Sequence, residues 1–151
     1  MYRLKNLNIS NKNLDSIFGK LHNLEDVFSH LSDNQLKSLV GLAGLLGFVA
    51  LADDQILCLD EEAQIHNIIC NVFNIKDTDT KKIIIFLKVL IPYLKENGDD
   101  YFSNLIKDSC NNAQREAVIA FLFRVAKANN STTPAQLNSI NEISKILDIK
   151  A

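Results

Sequence analysis

From Leu39 to Ala52 the chain reads LVGLAGLLGFVALA, fourteen residues without a charged side chain, and two aspartates follow at once. A helix that is apolar on all sides must be buried on all sides, in lipid or in protein. A membrane-spanning helix needs about 20 apolar residues, and Asp53 arrives too early for that. The stretch is therefore expected to be the central helix of a protein core. On a helical wheel Leu42, Leu45, Leu46 and Val49 gather on one side; Ala43, Gly47 and Ala50 gather on the other, with Gly44 close by. The leucine side fills a conventional core. The small-residue side admits a neighbouring backbone, and that close packing compensates the roughly 0.5–1 kcal/mol that each glycine costs inside a helix.

The rest of the chain also carries helical periodicity. Leu14, Ile17, Phe18, Leu21 and Leu24 recur at spacings of three and four, which predicts an amphipathic first helix. Asp33 is expected to cap the charge-free helix. Further helices are expected from about Leu59 to Asn74, from Asp77 through the apolar Ile83–Leu94 segment, from Asp100 to Cys110, from Ala113 to Lys127 and from Pro134 to Leu147. Pro92 should kink the fourth, Gly98 should end it, and Asp99 should cap the fifth. No segment alternates strictly enough for a half-buried strand. The expected fold is all-α: one domain over residues 1–151, about seven helices, arranged as two pseudo-symmetric halves around the buried central helix.

Charge and cysteine usage exclude some functions. A formal net charge of −2 and a single adjacent basic pair, Lys81–Lys82, give no footprint for nucleic acid. Cys58, Cys70 and Cys110 are an odd, widely spaced set, expected as reduced thiols in a cytoplasmic protein. The N-terminal residues contain no apolar signal core. The abundance of Asn, Ile and Lys has the look of an AT-rich bacterial genome.

Sliding the sequence against itself by 75 positions places Phe48 on Phe123, Asp54 on Asn129, Glu61 on Gln136, Ile65 on Ile140 and Ile68 on Ile143. Each half then reads as an apolar helix, a polar break, a short loop and an amphipathic helix, over about 36–75 and 113–149, preceded by an extension of about 1–32. In the second half Thr133-Pro134-Ala135-Gln136 is a complete helix start, with threonine at the N-cap, proline at N1 and glutamine at N3. In the first half Cys58 takes the cap, where it is a weak acceptor, and Glu61 takes the N3 position.

At these residues the chain resembles a family. FVALADDQILCLDEEAQIHNIICNVF and FRVAKANNSTTPAQLNSINEISKILD are similar to the half-repeats of the TerB-like domain, the helical module of bacterial tellurite-resistance and stress-response proteins. In that family an apolar helix ends in Ala-Asp-Gly, and a second acidic residue follows about seven positions after the aspartate. The resemblance covers about Leu36 to Ile149. It implies a non-enzymatic protein-binding module of the stress-response type, engaging other proteins near a membrane-associated complex. It also implies a divalent cation held by the acidic loops, a role that carries over here only to Asp54 and Glu61. Gln55 replaces the family's glycine, and Asn129, Asn130 and Gln136 replace the second loop's aspartate, glycine and glutamate. A metal-free structural adaptor that kept only the scaffold is the alternative.

The residues themselves support part of that expectation. Asp53, Asp54, Asp60, Glu61 and Glu62 place five carboxylates within ten residues, a donor set suited to calcium or another hard divalent cation. Asn129 and Gln136 add neutral oxygens if the two loops approach each other. Acidic residues in a first helical turn are also favoured by the helix dipole alone. His66 lies four residues after Glu62, which reads as a surface polar pair, and Cys70 reads as a small buried hydrophobe. Cys58, among carboxylates, makes a poor nucleophile. No Walker, GxSxG or HExxH pattern is present, so no enzyme is expected.

Overall fold

The computed structural model describes residues 29, 31–52, 58–85, 88, 100–128 and 132–149. Six helices and no strand occur among them. They are α1 (Asp33–Ala50), α2 (Leu59–Phe73), α3 (77–85), α4 (Asp100–Ser109), α5 (Asn112–Ala126) and α6 (Pro134–Ile146). The expected helix around Leu14–Leu24, the kink at Pro92 and the stop and cap at Gly98 and Asp99 lie outside the described residues.

Four of these helices start with the same local device. Ser32 with Gln35, Cys58 with Glu61, Asn111 with Gln114 and Thr133 with Gln136 each form a reciprocal capping box. The cap side chain accepts from the N3 amide, and the N3 side chain accepts from the cap amide. Two orphan donors are thereby satisfied at each helix start. For α1 the cap is Ser32 rather than Asp33, because only a start at Ser32 places a glutamine at N3. At the other end, α2 and α6 are closed by residues in the left-handed region, Asn74 at φ 54° and Asp148 at φ 59°. Each is followed by an isoleucine whose amide donates back to the helix, Ile75 to the Cys70 carbonyl at 3.3 Å and Ile149 to that of Ser144 at 3.0 Å. These are Schellman-type stops.

Helix α1 is the pillar the sequence predicts. Every residue from Leu39 to Ala50 is buried, including all three of its glycines. It touches α2, α4, α5 and α6, most extensively α4. The small-residue side does admit a close neighbour, but through Gly41 and Gly44. A Cβ at Gly44 would lie 2.2 Å from Cδ1 of Phe102, and one at Gly41 would lie 2.9 Å from Cδ1 of Ile106 and 3.1 Å from the Phe102 carbonyl. The Phe102 ring is fully buried and meets Phe48 edge-on, with centroids 6.0 Å apart at 69°. Burying a side chain of that size is worth about 1.5–3 kcal/mol, more than the helix loses by carrying glycine at 44.

At the end of α4 one guanidinium gathers three chain segments. Arg115 donates to the carbonyls of Lys107 at 2.6 Å, Cys110 at 3.1 Å and Leu147 at 3.2 Å.

The burial pattern refines the internal alignment. Leu46, Val49 and Ala50 in α1 and Leu122, Val125 and Ala126 in α5 all have zero exposure. The cap amides of Leu51 and Lys127 donate to the carbonyls of Gly47 and Phe123, and the amides that follow, of Ala52 and Ala128, donate to those of Val49 and Val125. These pairings run at an offset of 76, whereas the caps of α2 and α6 run at 75. The joint from Lys127 to Thr133 is one residue shorter than that from Leu51 to Cys58, so a single offset cannot align both helices of each half.

Candidate functional site

The starts of α2 and α6 lie against each other, joined by the two N3 side chains. Oε1 of Glu61 accepts from its own cap amide, Cys58, at 3.3 Å, and its Oε2 accepts from Nε2 of Gln136 at 3.1 Å. Oε1 of Gln136 likewise accepts from its own cap amide, Thr133, at 3.1 Å. Each side chain thus uses one end to cap its helix and the other to reach across. Both are buried, Glu61 with 3% and Gln136 with 1% exposure.

The cap residues differ as their chemistry requires. The Glu61 amide donates to Sγ of Cys58 at 3.4 Å, and the Gln136 amide donates to Oγ1 of Thr133 at 3.2 Å. Burial pushes the Cys58 thiol above its ordinary pKa, and the Glu61 carboxylate beside it adds to the rise, against the lowering effect of backbone donors. Cys58 is therefore protonated at neutral pH and unsuited to nucleophilic attack.

Of the carboxylates singled out in the sequence, Asp53 and Asp54 lie outside the described residues, as do Asn129 and Asn130. Asp60 is exposed at the start of α2, and Glu62 pairs with Lys88 at 2.9 Å rather than with His66. The described residues give the Glu61 carboxylate no positively charged partner. A carboxylate removed from water is costly unless paired or well hydrogen-bonded; here two donors and the positive end of the α2 dipole offset that cost. For a cation, Glu61 keeps a second lone pair on each oxygen. Gln136 turns its NH2 towards Glu61 and commits its oxygen to the Thr133 cap, so it adds no ligand at this contact. The fit to a hard cation rests on Glu61 and on Asp54.

His66 lies farther along α2, and its Nε2 is 2.5 Å from Oδ1 of Asp77 at the start of α3. Asp77 also pairs with Lys81 at 3.4 Å. The hydrogen bond from His66, and then the nearby Lys81, hold the Asp77 carboxyl below its ordinary pKa. Sequence periodicity could not find this contact, because it joins two helices across a turn. Between α1, α2, α4 and α5, a depression is lined by Ser38, Ser109, Cys110, the amide side chains of Asn34, Gln35 and Gln114, and apolar groups. Ser38 Oγ donates to Oγ of Ser109 at 2.9 Å and approaches Sγ of Cys110 at 3.6 Å. None of its lining side chains among the described residues is a histidine or a carboxylate, so none of them offers that thiol a general base.

Among the described residues no helix is long and apolar enough to cross a membrane. The fold defines a class: a small all-helical module with a buried pillar and paired helix starts, polar where they meet. The family model for tellurite resistance protein TerB matches residues 31–151, and the chain belongs to the TerB family. No curated protein and no solved structure matches it.

Proposed function

We propose that this TerB-family chain is a non-enzymatic module that binds other proteins in a bacterial stress response, and that its helix starts meet without a metal ion. The observation that carries the reading is the Glu61–Gln136 hydrogen bond. Two facing carboxylates repel and need a cation between them; a carboxylate facing an amide N–H does not. Gln136 thus does locally what an ion would do between two acids. The lack of a base beside Cys110 among the described residues and the protonated Cys58 support a non-catalytic role. The test compares capture of partner proteins by the full-length chain in chelator and in millimolar calcium. Equal capture under both conditions supports the metal-free scaffold.

A second reading keeps a weakly held divalent cation at Asp54 and Glu61. It is favoured by the lack of a positive partner for the Glu61 carboxylate among the described residues. There a calcium or magnesium ion would take carboxylate oxygens from both residues and supply charge, not chemistry. Calorimetric titration of metal-stripped protein distinguishes the two readings. Heat and a raised melting temperature with calcium, both lost in Asp54→Asn, support the ion. Silence at millimolar metal removes it.

A further inference from the structure

A second cluster of potential ligands lies one face away from the helix starts and has different chemistry. His66 and Cys70 are four residues apart on α2, so they stand one turn above one another. Asp77 opens α3 directly opposite. A ring nitrogen of His66, Sγ of Cys70 and a carboxylate oxygen of Asp77 all lie within 4.8 Å of one another. We propose that these three side chains form a site for a divalent transition ion of the zinc class, with the fourth position open to solvent.

The donor set selects the ion. Calcium and magnesium take oxygen ligands, whereas a nitrogen, a thiolate and a carboxylate are the mixture that zinc accepts in tetrahedral geometry. Bonds of about 2.0 Å to nitrogen and oxygen and about 2.3 Å to sulfur need donors somewhat closer together than the 4.8 Å limit seen here. Side-chain rotation of the exposed Asp77 and of Cys70 supplies that adjustment without moving a helix. His66 is 16% exposed and Asp77 66%, so the cluster opens towards solvent on the α3 side. There it meets a shallow groove that His66 and Asp77 line together with Glu62, Asn67 and Lys81.

Binding is balanced by proton release. The Cys70 thiol gives its proton to solvent as the sulfur bonds the ion, and His66 bonds through the lone pair of a neutral ring. Thr80 stands ready to support the thiolate. Its Oγ1 lies 3.1 Å from Sγ of Cys70 and donates to the Lys76 carbonyl at 3.0 Å; rotation of that hydroxyl turns its hydrogen towards the sulfur, the kind of outer contact that tunes metal ligands. The ion displaces the His66–Asp77 hydrogen bond and replaces it with a bridge through metal.

The experiment is a titration of the reduced, metal-stripped full-length chain with cobalt(II), followed by zinc(II). The expected result is one equivalent of cobalt bound, with thiolate-to-cobalt absorption in the near ultraviolet that zinc abolishes. The same absorption is expected in Cys58→Ser/Cys110→Ser, and none in Cys70→Ser. His66→Gln and Asp77→Asn are each expected to weaken binding by about tenfold or more, with folding checked by circular dichroism, whereas Glu61→Gln leaves it unchanged. Absence of thiolate absorption in the wild-type chain overturns the proposal and leaves His66–Asp77 as a plain tie between helices. Its persistence in Cys70→Ser, or affinity unchanged in His66→Gln, overturns it equally.

Discussion

Glu61 and Gln136 occupy the same position in their respective helices, the third residue after the cap, and they bond directly to each other at 3.1 Å. The contact couples two local devices to one tertiary one. Each side chain is already held by its own cap amide, so little further side-chain freedom is lost when the two meet.

That coupling makes Gln136→Glu informative. The substitution keeps the cap but replaces the N–H donor with a second buried carboxylate. The loss of a hydrogen bond to a charged group predicts a destabilisation of about 1.5–3 kcal/mol at neutral pH. Urea denaturation would measure it. Added calcium is expected to restore much of the loss, because it would stand where the amide stood; a variant indifferent to calcium would show that the contact cannot host an ion.

Cys58→Ser is expected to raise stability. A hydroxyl is a better N-cap acceptor than a thiol, and the sulfur contact to the Glu61 amide is 3.4 Å long. A gain of about 0.5–1 kcal/mol is expected from the better cap. A thermal melt of the variant beside the wild type tests it, and a lowered melting temperature would mean that the packing of the sulfur outweighs its weakness as an acceptor.

Gly44→Ala tests the pillar. The added methyl would fall within 2.4 Å of three Phe102 ring atoms, and the ring is enclosed. Overpacking predicts a loss of about 1–3 kcal/mol, despite alanine's better helix propensity. Gly41→Ala, whose methyl would meet Ile106 at 2.9 Å and the Phe102 carbonyl at 3.1 Å rather than a ring at 2.2 Å, should cost less. The order of the two melting temperatures is the readout.

Asp77 carries a pH signature. Its folded pKa is depressed below the ordinary 3.8, first by the His66 hydrogen bond and then by Lys81. The ionised form is therefore favoured by folding, and its contribution is complete above the unfolded value and disappears as pH falls through the lower folded value. Wild type and Asp77→Asn should differ in melting temperature at neutral pH and converge below pH 3.8. A constant gap across that range would assign the difference to packing instead.

The sequence discloses the features that depend on neighbours within four residues. Thr133 and Gln136, and Cys58 and Glu61, are recognisable as helix starts because cap and N3 bond to each other locally. The burial of α1 follows from fourteen uncharged residues in succession. What stays hidden depends on how helices pack. The partner of Gly44 is a ring nearly sixty positions away. His66 turns to Asp77 instead of Glu62 because α3 folds back along α2. The one-residue change of offset between the halves is a matter of joint length, which residue similarity alone did not reveal. Asp54, half of the expected cation pair, lies outside the described residues.

Arg115 brings one more consequence. The carbonyls of Lys107, Cys110 and Leu147 that it gathers belong to the closing turns of α4 and α6 and to the joint between α4 and α5. Three pieces of chain that would otherwise fray independently are fastened by a single rivet, so a neutral side chain at that position would loosen them together. Lysine, with one point of charge in place of a planar fork, would not span all three.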